Sequence, residues 1–98
     1  MREKKRYLLI AIEGPAVDED SAKHLVYEAV FQFLGEAGAA EAGVRFKEFD
    51  AEKNRAVIRC ANAAVEKVVA ALAAKRYWQG KDVALRVKRI SGMIGKLL

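Results

Sequence analysis

The chain has 98 residues, 53% of them hydrophobic and 32% charged, which suits one compact domain spanning residues 1–98 and leaves no room for a second core. Its longest uncharged apolar run, Tyr7 to Ile12, is far shorter than the roughly 18 residues of a membrane-spanning helix, and the basic start Met1 to Arg6 lacks the long apolar stretch of a signal peptide, so a cytoplasmic protein is expected. A single cysteine, Cys60, and a single histidine, His24, exclude an internal disulfide and a His/Cys zinc site, while the net charge of +5 favours a polyanionic partner.

Arg6 to Glu13 reads as a strand ended by Gly14-Pro15. Leu8, Ile10 and Ile12 lie on one of its faces and Tyr7, Leu9 and Ala11 on the other, which marks a central strand. The acidic cluster Asp18-Glu19-Asp20-Ser21 suits a helix N-terminus. The helix that follows has the apolar stripe Ala22, Leu25, Val26, Ala29, Val30 and Phe33, and is expected to end near Leu34, with Gly35 and Gly38 as punctuation. Val44 to Asp50 and Arg55 to Cys60 form a hairpin, with turn chemistry from Asp50 and Asn54. Asn62 is placed to cap a second helix with the inner stripe Val65, Val68, Val69 and Leu72. Gln79-Gly80 turns the chain into a last strand, Asp82 to Ile90. Its core face is Val83, Leu85 and Val87 and its outer face Ala84, Arg86 and Lys88. In the tail, Ser91 is placed to cap a final helical turn.

The order strand, helix, strand, strand, helix, strand is the split pattern of a ferredoxin-like α+β sandwich: a four-stranded antiparallel sheet with both helices on one face. In that topology the first and third strands are central and the fourth lies beside the first. This arrangement gathers the charge. Residues 1–6 hold four bases against one acid and residues 75–98 seven against one, whereas residues 7–74 hold seven bases and eleven acids. The two basic chain ends then meet in one patch. Lys4, Lys5, Arg6, Arg59, Arg86, Lys88 and Arg89 are its expected phosphate contacts, with Arg55 on the same sheet face and Lys96 in the tail.

The sheet face away from the helices is expected to present Tyr7, Leu9 and Val57 as a docking surface for a protein partner, unless the C-terminal tail folds back over it. Base stacking on the central strands has little support, since the third strand has no aromatic residue and the first only Tyr7. Tyr77 and Trp78, beside Lys75, Arg76 and Lys81, either stack a base or cover the edge of the core.

No catalytic residue emerges. His24 lies off the apolar stripe of its helix, Cys60 belongs to a core-facing set, and the acids at 18–20 are capping residues. Neither GxxxxGK[ST] nor GxGxxG occurs, and no metal site is expected.

Several segments carry a resemblance: Lys5-Arg6-Tyr7-Leu8-Leu9-Ile10, Leu34-Gly35-Glu36-Ala37-Gly38, Ala56-Val57-Ile58-Arg59-Cys60, and Val83 to Ile94 with its Ser91-Gly92. Together they resemble archaeal ribonuclease P protein component 2, with Met93 where that family usually has threonine. The resemblance carries over Arg59, Arg86, Ser91 and Gly92 as matched positions, which makes Ser91 and Gly92 candidate RNA-binding residues. It implies a non-catalytic subunit of the ribonucleoprotein that removes 5′ leaders from precursor tRNA. The RNA subunit, with magnesium, is then the catalyst, and the chain alone is inactive and binds no cofactor. The implied partners are ribonuclease P RNA, protein component 3 in a heterotetramer with two of each chain, other ribonuclease P proteins, and precursor tRNA indirectly. Two alternatives of the same topology are a regulatory ligand-binding domain that pairs sheets edge to edge, and an acylphosphatase-like hydrolase, whose phosphate loop would have to be the acidic Glu13-Gly14-Pro15-Ala16-Val17-Asp18.

Overall fold

A strand with apolar side chains on both faces is most stable between two neighbours under a helical layer. The computed structural model, which describes residues 4–93 and Leu97, gives the first strand that place. β1 (Lys5–Glu13) runs antiparallel to β3 (Arg55–Ala61) on one side and to β6 (Ala84–Ser91) on the other. β2 (Arg45–Asp50) flanks β3, so the sheet order is β2-β3-β1-β6. α1 (Glu19–Ala42) and α2 (Val65–Ala74) cover one face, closing Leu25, Val26, Val30, Val68 and Leu72 over Leu8, Ile10, Ile58 and Cys60. This is the expected ferredoxin-like sandwich.

The Asp18 carboxylate accepts the Ser21 N–H at 2.8 Å, the cap that the acidic cluster predicts for α1. The helix outlasts its expected end. Gly35 (φ 74°, ψ 179°) interrupts it near Leu34, but the alanine-rich segment 36–42 winds again until Gly43, at φ 59°, terminates it. Phe33, expected on the inner stripe, is 53% exposed: it lies beside Ala71 and Ala74 of α2, which are too small to cover it. Where the two helices meet, Lys75 is buried and gives its ammonium to Glu28 Oε2 at 2.6 Å and Gln32 Oε1 at 2.9 Å, so its charge is paired as burial requires.

Other local devices differ from expectation. Asn62 does not cap α2: its Oδ1 accepts the Arg6 Nε–H at 2.8 Å, and a 3₁₀ turn, Asn62–Ala64, leads into the helix. The expected last strand is split. Lys81–Asp82 is β5, paired with β4 (Tyr77–Trp78) across Gln79-Gly80, both at positive φ as in a type I′ turn. Trp78 is buried at the edge of the core and Tyr77 is exposed. Ser91 ends β6 and its Oγ accepts the Met93 N–H at 3.0 Å, while the expected helical turn falls largely on 94–96 and 98, outside the described residues.

Both edge strands carry a bulge, and in both the extra residue is a lysine. Phe46 and Glu48 pair with consecutive residues of β3, which leaves Lys47 over. Val87 and Arg89 pair with consecutive residues of β1, which leaves Lys88 over. The second bulge corrects the expected alternation: Arg89, opposite Leu9, takes the outer-face position that Lys88 would have held, and Ile90, opposite Leu8, turns to the helix side.

Candidate functional site

Directly opposed residues on antiparallel strands share a face, so the register lays rows of side chains across the sheet, about 6.8 Å apart along each strand. Where β1 begins, Lys5 is paired with Ala61, whose own side chain is buried in the helix-side core. On the face away from the helices, the next row, from β2 to β6, reads Arg45, Arg59, Tyr7, Ser91. The middle row reads Glu48, Val57, Leu9, Arg89, and the last full row Asp50, Arg55, Ala11, Arg86. Beyond it stand Glu13 and Ala84.

The middle of this face is closed. Leu97 packs on Leu9 and Val57, with Tyr7 against the cluster, leaving Leu97 6%, Leu9 4% and Val57 0% exposed. The uncovered docking surface expected at Tyr7, Leu9 and Val57 is therefore not present. Two adjacent aliphatic side chains on a water-facing sheet are favoured by burial, and Leu97 supplies the cover.

The predicted cations fall into two groups around that plug. At the start of β1, Lys4 and Lys5 are exposed, and Arg59 is half-buried in the row beside Lys5. Arg6 points to the helix side opposite Cys60, where its guanidinium lies against Gly92: a Cβ there would sit 2.8 Å from Arg6 Nη1. Ser91 stands opposite Tyr7, Arg89 is exposed beside Leu9, and Lys88 is exposed in the bulge. At the other end, Arg86 donates to Glu13 Oε1 at 2.7 Å, a hydrogen bond that raises the guanidinium pKa further, and Arg55 stands opposite Asp50. Lys96 lies outside the described residues.

Sequence reasoning missed Arg45. It alternates with the core-facing Val44 and Phe46, a signal that would have put it on the outer face, but its place opposite Arg59 follows only from the register. Among the described residues neither Arg45 nor Arg59 has an ion pair or hydrogen bond, and the Arg59 Nε is shut off from solvent without a partner. A buried donor in that condition costs free energy unless an acceptor arrives.

The chemistry of the alternatives finds no support. Gly14 (φ 120°) is pressed against β5, with the Asp82 carbonyl 2.5 Å from where a Cβ would stand, so a carbonyl oxygen, which repels phosphate, crowds the loop after β1. Bulged lysines on both sheet edges oppose edge-to-edge pairing. Cys60 is fully buried in the core, and desolvation pushes its thiol pKa up, against the pull of Lys5, which suits a packing residue and not a nucleophile. His24 is exposed on α1.

Residues 6–98 match the Rpp14/Pop5 family. The chain is 35% identical over 100 residues to ribonuclease P protein component 2 of Pyrococcus abyssi, covering 99% of this chain and 83% of that one. It is 33% identical over 95 residues to the protein of the same name from Archaeoglobus fulgidus, covering 96% and 84%. Its fold is similar to that of a chain in the cryo-EM structure of yeast ribonuclease MRP, with a TM-score of 0.73 at 14% identity over 94% of this chain and 76% of that one.

Proposed function

The chain belongs to the Rpp14/Pop5 family and is a protein subunit of ribonuclease P, and from that premise we propose how it acts. It is a non-catalytic subunit that neutralises phosphates of the ribonuclease P RNA, so that the RNA holds its active fold at lower magnesium while it removes 5′ leaders from precursor tRNA. It works with protein component 3, in a heterotetramer with two of each chain, alongside the other ribonuclease P proteins. The RNA and its magnesium supply the chemistry.

The observation that carries the RNA-binding part is the placement of charge. At the start of β1 the outer face has Lys5 and, in the next row, Arg45 opposite Arg59 with no acid in that row among the described residues, with Lys4 and Arg6 around the corner and Lys88 and Arg89 beside them on β6. Ser91 and Gly92 shape this end: Ser91 holds the turn after β6, and Gly92 leaves the space that Arg6 occupies. Arg86 takes part only by leaving Glu13, and Arg55 stands opposite Asp50 without an ion pair among the described residues. Tyr7 and the plugged middle row are not offered as a stacking surface, so the contacts are to phosphate and sugar.

The test is reconstitution. Ribonuclease P RNA from the same organism, with protein component 3, is assayed on precursor tRNA with and without this chain across a magnesium series. Cleavage at low magnesium only in the chain's presence is the expected result. Equal cleavage without it, with the protein pair shown to be folded, would overturn the mechanism.

A further inference from the structure

Two arginines directly opposite each other on neighbouring strands are an unfavourable pairing, because like charges about 5 Å apart at Cβ repel. Arg45 and Arg59 are such a pair. Glu48, one row away, joins neither of them in an ion pair, and nothing else among the described residues compensates them. Burial adds a second cost, since Arg59 is half-buried and its Nε is sealed without an acceptor. The repulsion is relieved by an anion whose oxygens reach the two guanidinium groups together.

We propose that Arg45 and Arg59 form a clasp for one phosphodiester of the RNA backbone. The inference deepens the subunit reading and rests on it, naming the ligand group and adding a residue outside the expected contacts. A guanidinium is a planar fork of donors that matches two oxygens at once. A phosphodiester offers two anionic oxygens and open approach from two sides, so each arginine takes it through its own fork. The half-buried Arg59 holds its guanidinium in place from β3, and the exposed Arg45 closes from β2.

A shared phosphate makes a sharp prediction, because removing either arginine breaks one site. Arg45→Gln and Arg59→Gln are each expected to weaken binding of a ribonuclease P RNA transcript about tenfold. Each should also reduce the slope of log affinity against log salt by about 0.9 or less, and the double variant should lose scarcely more than either single one. Arg45→Lys, which keeps the charge without the fork, retains the slope and loses affinity. Removing the repulsion raises the melting temperature of the free chain by about 1–4 °C in each Gln variant, an effect opposite to that of deleting a structural contact.

Wild-type chain that fails to bind the transcript would refute the subunit mechanism itself. Wild-type binding with unchanged affinity and slope in the variants would refute the clasp alone. Strictly additive losses would also overturn it, in favour of two separate phosphates. So would intact RNA binding with lost assembly onto protein component 3, which would mean that the pair receives a protein carboxylate.

Discussion

The two ends of the outer sheet face carry the same kind of residue and differ in what stands beside it. Where β1 begins, Arg45 and Arg59 face each other next to Lys5; where β1 ends, Arg86 is bound to Glu13 and Arg55 faces Asp50. A count of arginines would rank the ends equal. Their neighbours do not, because Arg86 must give up Glu13 before it meets a phosphate, whereas Arg45 and Arg59, without an ion pair among the described residues, lose only water.

The first way to break this comparison is to unseat what separates the ends. Leu97→Ser removes the apolar cover from Leu9 and Val57 and is expected to cost about 2 kcal/mol, read as a lower urea midpoint at constant slope. An unchanged midpoint would show that Leu97 does not hold the face closed. Next comes the contrast of charge pairs. Replacing Arg45 and Arg59 by glutamine together should remove about one phosphate's worth of salt dependence, about 0.9 in slope, while replacing the Glu13-bound Arg86 removes less than half of that. Equal losses would erase the distinction between the ends.

A smaller effect sharpens it. Glu13→Gln takes the carboxylate from Arg86 and should strengthen RNA binding about two- to threefold at low salt, a gain that fades as salt rises. No gain would mean that Arg86 is out of the RNA's reach. The smallest effect is a control at a site apart from both ends. The Ser21 N–H holds the Asp18 carboxyl below its ordinary value of 3.8. With a folded pKa below the unfolded one, its support for α1 is complete above that value and is lost as pH falls through the folded pKa. Acid titration followed by circular dichroism should show slight fraying of α1 in that window. The fraying should vanish in Asp18→Asn, which caps without titrating, and its persistence there would assign the fraying to another group.

Much of the fold was legible because the signals were local and periodic. The two apolar faces of residues 7–12 marked a central strand, and Gln79-Gly80 marked a turn that the structure forms with both residues at positive φ. The bulges were not legible, since Lys47 and Lys88 look like ordinary members of an alternating strand and are extra only relative to a partner's register. The site depended on that same non-local information: Arg59 stood out in its strand, but the significance of Arg45 lies in being opposite it. Glycine at 35 was read as an end, whereas the alanines beyond it restart the helix, because one left-handed residue interrupts a helix without forbidding the next turn. The covering of Leu9 and Val57 rests on a residue forty positions from the nearer of them, and no spacing rule would have selected it.

Cys60 gives the chain an internal clock. Fully enclosed between sheet and helices, with a thiol that burial keeps protonated, it is out of reach of a maleimide or a disulfide reagent while the sandwich is closed. Any modification of the native chain therefore reports the opening of β3 from the helical layer, and its rate measures how often the core comes apart. New cysteines placed on either end of the outer face can carry cross-linkers to the RNA without first deleting the natural one.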